Sequence, residues 1–313
     1  MTTAASLAVR PGTWYLVPTT FDADGAVDFV SQKRLVDAAI AWGVDGLTVM
    51  GVMSEPGTLT DPERHQILRA IFDAAAGRVP IVVGCSAAGP ALVAERVCQA
   101  RDLGAVAAMV AAPPLLRNID LLPRFFKAAA DSGLPVVIQD EPAATGVTMP
   151  VSVLVAAADA SGARCVKVED PPTPAKIGQL LASRPDLTLF GGLGGVAGLH
   201  ELQRGAAGTM TGFAYPEVMR AVREKVQQSR RDEAARIFDR FLPLIVFEAQ
   251  VGVGLLVRKE VLRRRGVIST GTTRSIVDQL DRATADELDE VLSMVGVTPS
   301  PDALVLVVAP PPE

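Results

Sequence analysis

Several residue types are scarce in this chain of 313 residues, and each shortage narrows what it can do. Aromatic residues make up 4%, and only two of them, Tyr15 and Tyr215, carry a phenol, so chemistry that leans on tyrosine has few sources. The two histidines, His65 and His200, and the three cysteines, Cys85, Cys98 and Cys165, fall into no C-x-x-C or H-E-x-x-H spacing, which argues against a zinc site or any other metal centre. An odd, scattered cysteine set suits free, buried thiols in a reducing cytoplasm. Residues 1–10 also lack the basic start and apolar run of a secretory signal. The longest apolar stretch, residues 105–116, is too short to span a bilayer and is interrupted by Pro113 and Pro114, so no membrane partner is expected. Charge of one sign is lacking too. With 30 Lys+Arg against 35 Asp+Glu, evenly spread, the net charge is -5 and nothing marks a nucleic-acid surface.

What is present is a hydrophobic fraction of 49%, enough for a sizeable core in one large domain or two ordinary ones. Short apolar runs alternate with helical patterns, the signature of repeated βα units. Candidate strands lie at 14–17, 46–50, 81–84, 106–111, 136–139, 164–168, 187–190 and 208–211, each suited to burial on both faces. Helical candidates follow them at 31–42, 61–76, 92–103, 119–130, 151–158, 174–182, 196–203 and 216–228. Thr60 followed by Asp61-Pro62-Glu63 reads as a capping box, and Gly43, Gly77, Gly104 and Gly133 punctuate helix ends. Eight βα units close into an α/β (β/α)8 TIM barrel over residues 10–229. A doubly wound open sheet is the alternative, but Pro18-Thr19-Thr20-Phe21 is not the glycine-rich phosphate loop that usually follows its first strand. Helical periodicity continues as a C-terminal extension over 230–297, and the proline-rich stretch 298–313 reads as a flexible tail or a short docking strand.

In such a barrel the site lies at the C-terminal ends of the strands, where Lys167 stands out. In Cys165-Val166-Lys167-Val168-Glu169-Asp170, alternation puts Lys167 and Glu169 on one face, toward the interior. A lysine among apolar neighbours loses hydration of its ammonium form, which frees the amine to attack a ketone and form a Schiff base. Position alone equally allows a rim lysine paired with Glu169 or Asp170.

The order of motifs adds to this. Val17-Pro18-Thr19-Thr20-Phe21, then Gly51-Val52-Met53-Ser54-Glu55, then Asp140-Glu141-Pro142, then Lys167 resembles the dihydrodipicolinate synthase/N-acetylneuraminate lyase superfamily of class I aldolase-like enzymes, over about residues 17–267. The resemblance implies a barrel with a helical extension, commonly assembled as a homotetramer or dimer. It also implies a lyase in which Lys167 forms a covalent imine with a small 2-oxo acid, without a separate cofactor. The family's tyrosine after strand five is Gln139 here, its relay threonines are Val52 and Met53, and its distal arginine is Ala144. One branch fits these changes better. Gln139-Asp140-Glu141-Pro142-Ala143, Lys167-Val168-Glu169, Ser54-Glu55 and Gly208-Thr209-Met210-Thr211-Gly212 are similar to L-2-keto-3-deoxyarabonate dehydratases, which act on 2-keto-3-deoxy sugar acids.

On that resemblance Lys167 forms the imine, Glu169 removes the C3 proton, and protonated Glu169, or a water held by Ser54 or Gln139, assists departure of the C4 hydroxyl. Thr19, Ser54, Glu55, Asp140, Gly192 and Thr211 are the expected substrate-binding residues. Asp140 and Glu141 point to opposite faces, so at most one lines the pocket. Gly191 to Gly195 form a tight turn or a close approach to substrate, not a phosphate loop. The basic run Arg258-Lys259 and Arg263-Arg264-Arg265 reads as a solvated or subunit-facing helix surface. A pyruvate-dependent aldolase or synthase, and a non-catalytic 2-oxo-acid-binding barrel, are the rival functions.

Overall fold

A computed structural model describes residues 9–306. The eight strands are β1 (Thr13–Leu16), β2 (Gly46–Val49), β3 (Ile81–Gly84), β4 (Ala107–Ala111), β5 (Val136–Asp140), β6 (Cys165–Val168), β7 (Thr188–Gly191) and β8 (Gly208–Thr211). All pairings are parallel, and β1 bonds to both β2 and β8, so the sheet closes and leaves no edge. The expected TIM barrel is therefore the architecture, and the open sheet is excluded.

Every strand residue is buried, because the strands are covered by helices outside and by each other's side chains inside. Alternation sends Trp14, Val82, Met109, Val137, Cys165 and Phe190 inward as a packed plug, with Trp14 and Phe190 edge to face at 6.4 Å. It sends Tyr15, Leu47, Val83, Ile138, Val166 and Leu189 outward against the helices. Cys165 faces inward, so Lys167 does too, just above the plug.

Helices α1 (Phe29–Ala41), α2 (Asp61–Ala75), α3 (Pro90–Asp102), α4 (Leu122–Ala130), α5 (Pro142–Thr145), α6 (Val151–Ser161), α7 (Thr173–Ser183), α8 (Gly198–Gln203) and α9 (Pro216–Gln227) lie between and after the strands. The capping box at Thr60 and Glu63 is present in both directions, worth about 1 kcal/mol to the start of α2. Where one helix was expected over 119–130, Asn118 caps a 3-10 turn at Ile119–Leu121 and α4 begins only at Leu122, with Pro123 in its first turn. The four-residue α5 was not expected at all.

The extension consists of α10 (Arg231–Glu248), α11 (Gly254–Arg264) and α12 (Arg282–Met294), with α10 packed on α9 as well as on α11 and α12. Two expectations need correcting here. First, the basic run is not a solvated face: Lys259 and Arg265 are fully buried, and only Arg263 is exposed, paired like the half-buried Arg264 with Glu260. Lys259 reaches Glu55 Oε1 at 2.6 Å, and the Arg265 guanidinium stacks 3.8 Å from the Trp42 ring and 4.3 Å from that of Tyr215. Second, residues 300–304 form no strand but are not loose. Arg265 donates to the carbonyls of Ser300 and Asp302, Trp42 Nε1 to that of Pro301, and Leu304 N to Glu217. The remainder of the expected tail, 307–313, lies outside the described residues.

Candidate active site

Lys167 is 1% exposed and sits at the mouth end of β6, its Nζ 2.9 Å from Glu169 Oε1. The pairing with Glu169 matches the rim-lysine alternative, but the lysine is interior. Gln139 stands directly opposite Lys167 in the β5–β6 register. Its Nε2 donates to Glu169 Oε2 at 2.9 Å and to Glu141 Oε2 at 2.6 Å, so one amide bridges two carboxyls. Leu193 N donates to Glu169 Oε1 at 3.2 Å. Glu169 is thus gripped from three sides with one oxygen beside the amine.

Glu141 is held differently. Burial pushes its carboxyl well above the usual carboxylate range and the Glu169 charge pushes the same way, while Lys167 and the Gln139 amide oppose them.

These groups face a cavity of about 560 Å³. Gln139, Glu141, Lys167 and Glu169 line it, together with Met53, Gly194, Thr211 and Arg258. A larger groove of about 800 Å³ lies at the opposite end of the barrel around Arg10, Asp45 and Pro80, and holds none of these chemical groups. Among the described residues no cluster of three His, Cys, Asp or Glu is placed to hold a metal ion.

The other expected binding residues divide. Thr211 lines the cavity, its Oγ1 accepting from Phe213 N at 3.4 Å. Gly192 serves Glu169: a Cβ there would lie 2.2 Å from Glu169 Oε1, so only glycine leaves the carboxylate its place. Thr19 and Ser54 are buried behind the wall, with Thr19 Oγ1 donating to the Ser54 carbonyl at 2.7 Å and Ser54 Oγ to the Val17 carbonyl at 2.8 Å. Their hydroxyls brace the first two loops. Glu55, in the left-handed region at φ 52°, accepts from Lys259 and from Arg274 N, and so ties the second loop to the extension. Asp140 points out of the barrel to Lys176 at 2.7 Å, and burial raises its carboxyl to about 6 against that cation's pull. Glu141 takes the inward position instead. His65 and His200 lie on the exposed faces of α2 and α8.

Two charged residues of the wall, Glu141 and Arg258, were not among the expected site residues. Glu141 was reachable, since alternation from an inward Gln139 passes over Asp140 and returns at Glu141. Arg258 was not, because it comes from α11, and no pattern in the chain says which turn of that helix covers the barrel mouth.

The family model described as dihydrodipicolinate synthetase family matches residues 12–295. The chain belongs to that family. It is accordingly a lyase, of a family whose enzymes work through a covalent lysine Schiff base and no metal or other cofactor. It is similar to L-2-keto-3-deoxyarabonate dehydratase of Azospirillum brasilense, 32% identical over 91% of this chain and 94% of that protein. It is also similar to 4-hydroxy-tetrahydrodipicolinate synthase 1 of Streptomyces coelicolor, 31% identical over 85% of this chain and 88% of the relative. The crystal structure of dihydrodipicolinate synthase from Rhodopseudomonas palustris superposes with a TM-score of 0.86 at 34% identity, covering 91% of this chain and 99% of that one.

Proposed function

We propose that this family member is a dehydratase of a 2-keto-3-deoxy sugar acid of the L-2-keto-3-deoxyarabonate kind. The observation that carries the reading is the Gln139 amide holding two carboxyls beside Lys167, where a phenol relay has no residue to run through. The Lys167 amine adds to the C2 ketone and water leaves to give an iminium, which acidifies C3. Glu169, beside the nitrogen, takes a C3 proton and leaves an enamine. The enamine electron pair expels the C4 hydroxyl as Glu141, protonated through burial, supplies the proton that makes it water. Moving a C5 proton to C3 gives an enol, the enol hydroxyl proton passes to C4 to give the aldehyde, and hydrolysis of the imine releases a 2-oxo semialdehyde and free Lys167. Glu141 replaces the expected Ser54-held water as the acid, because the Ser54 hydroxyl is already committed to the Val17 carbonyl.

A synthase that joins pyruvate to a second carboxylate-bearing substrate would need a cation at the outer β5 side. Ala143, Ala144 and Glu141 line that side and offer none. The same reading takes a small 2-oxo acid as ligand, a homo-oligomer as the assembled form and the cytoplasm, where free Cys85, Cys98 and Cys165 stay reduced, as the location. Among the described residues no helix is long and apolar enough to cross a membrane.

The deciding experiment incubates the protein with L-2-keto-3-deoxyarabonate and identifies the products. Loss of water to the 2-oxo semialdehyde is expected; pyruvate plus an aldehyde would make it an aldolase. Borohydride should fix the substrate to Lys167, and Lys167→Ala should abolish that adduct while unfolding stays cooperative. No added mass with pyruvate or the sugar acid would leave only the non-catalytic barrel.

A further inference from the structure

We infer that Arg258, from outside the eight βα units, is the counter-ion of the substrate's C1 carboxylate and so orients the 2-oxo acid with its hydroxylated end against Gln139 and Glu141. This rests on the imine reading of Lys167 and goes beyond it, since that reading leaves the substrate's C1 carboxylate without a partner.

The cavity is polarised. Glu141 and Glu169 come from the β5 and β6 ends, and among the described residues the one cationic side chain on its wall besides Lys167 is Arg258, lying against the loop after β7 and Met53 of the loop after β2. The protein itself uses little of that guanidinium. Its Nε is 3.6 Å from Glu248 Oε2, beyond hydrogen-bond reach, and has no hydrogen-bond partner among the described residues. Its Nη1 meets the Met53 thioether at 3.3 Å, a weak acceptor. The side chain is nonetheless 11% exposed, and its burial lowers guanidinium basicity while the charges of Glu248 and Glu169 raise it again. A desolvated cation with unspent donors, facing a cavity, matches a carboxylate in charge and in fork geometry.

Among the described residues no other charged side chain lies beside it on that wall. Val52 and Met53 carry no hydroxyl, and those of Thr19 and Ser54 donate to main-chain carbonyls. The β7 loop is shaped around the guanidinium: Gly194 has φ +68°, and a Cβ on it would lie 2.5 Å from Arg258 Nη2. At the other end, carboxyls suit hydroxyl groups that donate to them and repel a second carboxylate. The substrate class that follows is a monoanionic, polyhydroxylated 2-oxo acid.

The test measures, by mass spectrometry after borohydride reduction, the concentration giving half-maximal labelling of Lys167 by pyruvate and by its neutral amide, pyruvamide. Pyruvate has a carboxylate and no distal end, so it isolates the contact in question. The native protein should favour pyruvate. Arg258→Met should raise the pyruvate requirement roughly 10- to 100-fold and leave pyruvamide unchanged, the loss expected for a charged hydrogen bond. Arg258→Lys, a point charge without the fork, should fall between, and carries the comparison if the Met variant does not fold. Pyruvate labelling unchanged in the variants would overturn the Arg258 assignment and leave the imine standing, including the case where only the sugar acid's KM rises. No labelling of the native protein by any 2-oxo acid would overturn the imine reading and this inference with it.

Discussion

Arg258, in the second turn of α11, and Arg265, which caps the C-terminus of that helix, lie about two helical turns apart, and the protein treats them in opposite ways. Arg265 is fully buried, stacked between Trp42 and Tyr215, and donates to the Ala214, Ser300 and Asp302 carbonyls and to Glu217. Arg258, nearly as deep, has a carboxylate at 3.6 Å and a thioether. A buried charge whose donors are all answered within the chain holds the fold together. One whose donors are left unanswered beside a cavity is available to a ligand, and depth alone does not separate the two.

The contrast can be broken by measurement. Arg265→Met strands the Glu217 carboxylate and should cost about 3–5 kcal/mol in denaturant unfolding, while the molecules that remain folded still label at Lys167. Next in size, Gly192→Ala pushes into Glu169 and should lower turnover roughly 100-fold with little change in unfolding midpoint, because displacement of about 1 Å at a reacting group is that costly. Smaller again is the stability effect of Arg258→Met. Burial raises the Glu248 carboxyl to about 8 even beside Arg258, so it can take up a proton when the cation goes, and the unfolding midpoint should move far less than for Arg265→Met. Equal losses in the two arginine variants would end the distinction drawn between them.

The smallest expected effect is one of pH. Burial raises the Glu201 carboxyl to about 7, with Glu169 adding to the rise and the Thr173 hydroxyl opposing it. Its unfolded value is near 4.5, so the folded chain holds the extra proton between those values. Its contribution to stability is whole below about 4.5 and is lost as pH rises through 7. Glu201→Gln should flatten that part of the profile in denaturant midpoints taken across the window; an unchanged slope would place the proton elsewhere.

The barrel could be read from the chain because each strand is a short apolar run bounded by glycine, proline or a cap, and the same punctuation recurs eight times. Lys167 and Glu169 were legible for a related reason: strand alternation is local and decides which side chain faces inward, whereas Gln139 was reached through the family resemblance. Thr19, Ser54 and Glu55 lie in the expected loops, yet their side chains turn to main-chain carbonyls and to Lys259, since a loop's inward direction depends on what packs behind it. The basic run was misread because helical periodicity shows that a face exists without saying what covers it. Arg258, Lys259 and Arg265 gain their partners from the first two loops, from the segment after β8 and from residues near 300, all distant in sequence.

Lys259 also sets an order of events during synthesis. The loop after β2 leaves the ribosome early, yet Glu55 is held in its left-handed turn by Lys259 and by the amide of Arg274, more than two hundred residues later. Until that late segment arrives, a nascent chain can hydrogen-bond its eight strands into a closed ring and still have an unfinished rim. Strand closure and competence to bind a keto acid are then separate milestones, the second reached only once the segment through Arg274 has been made.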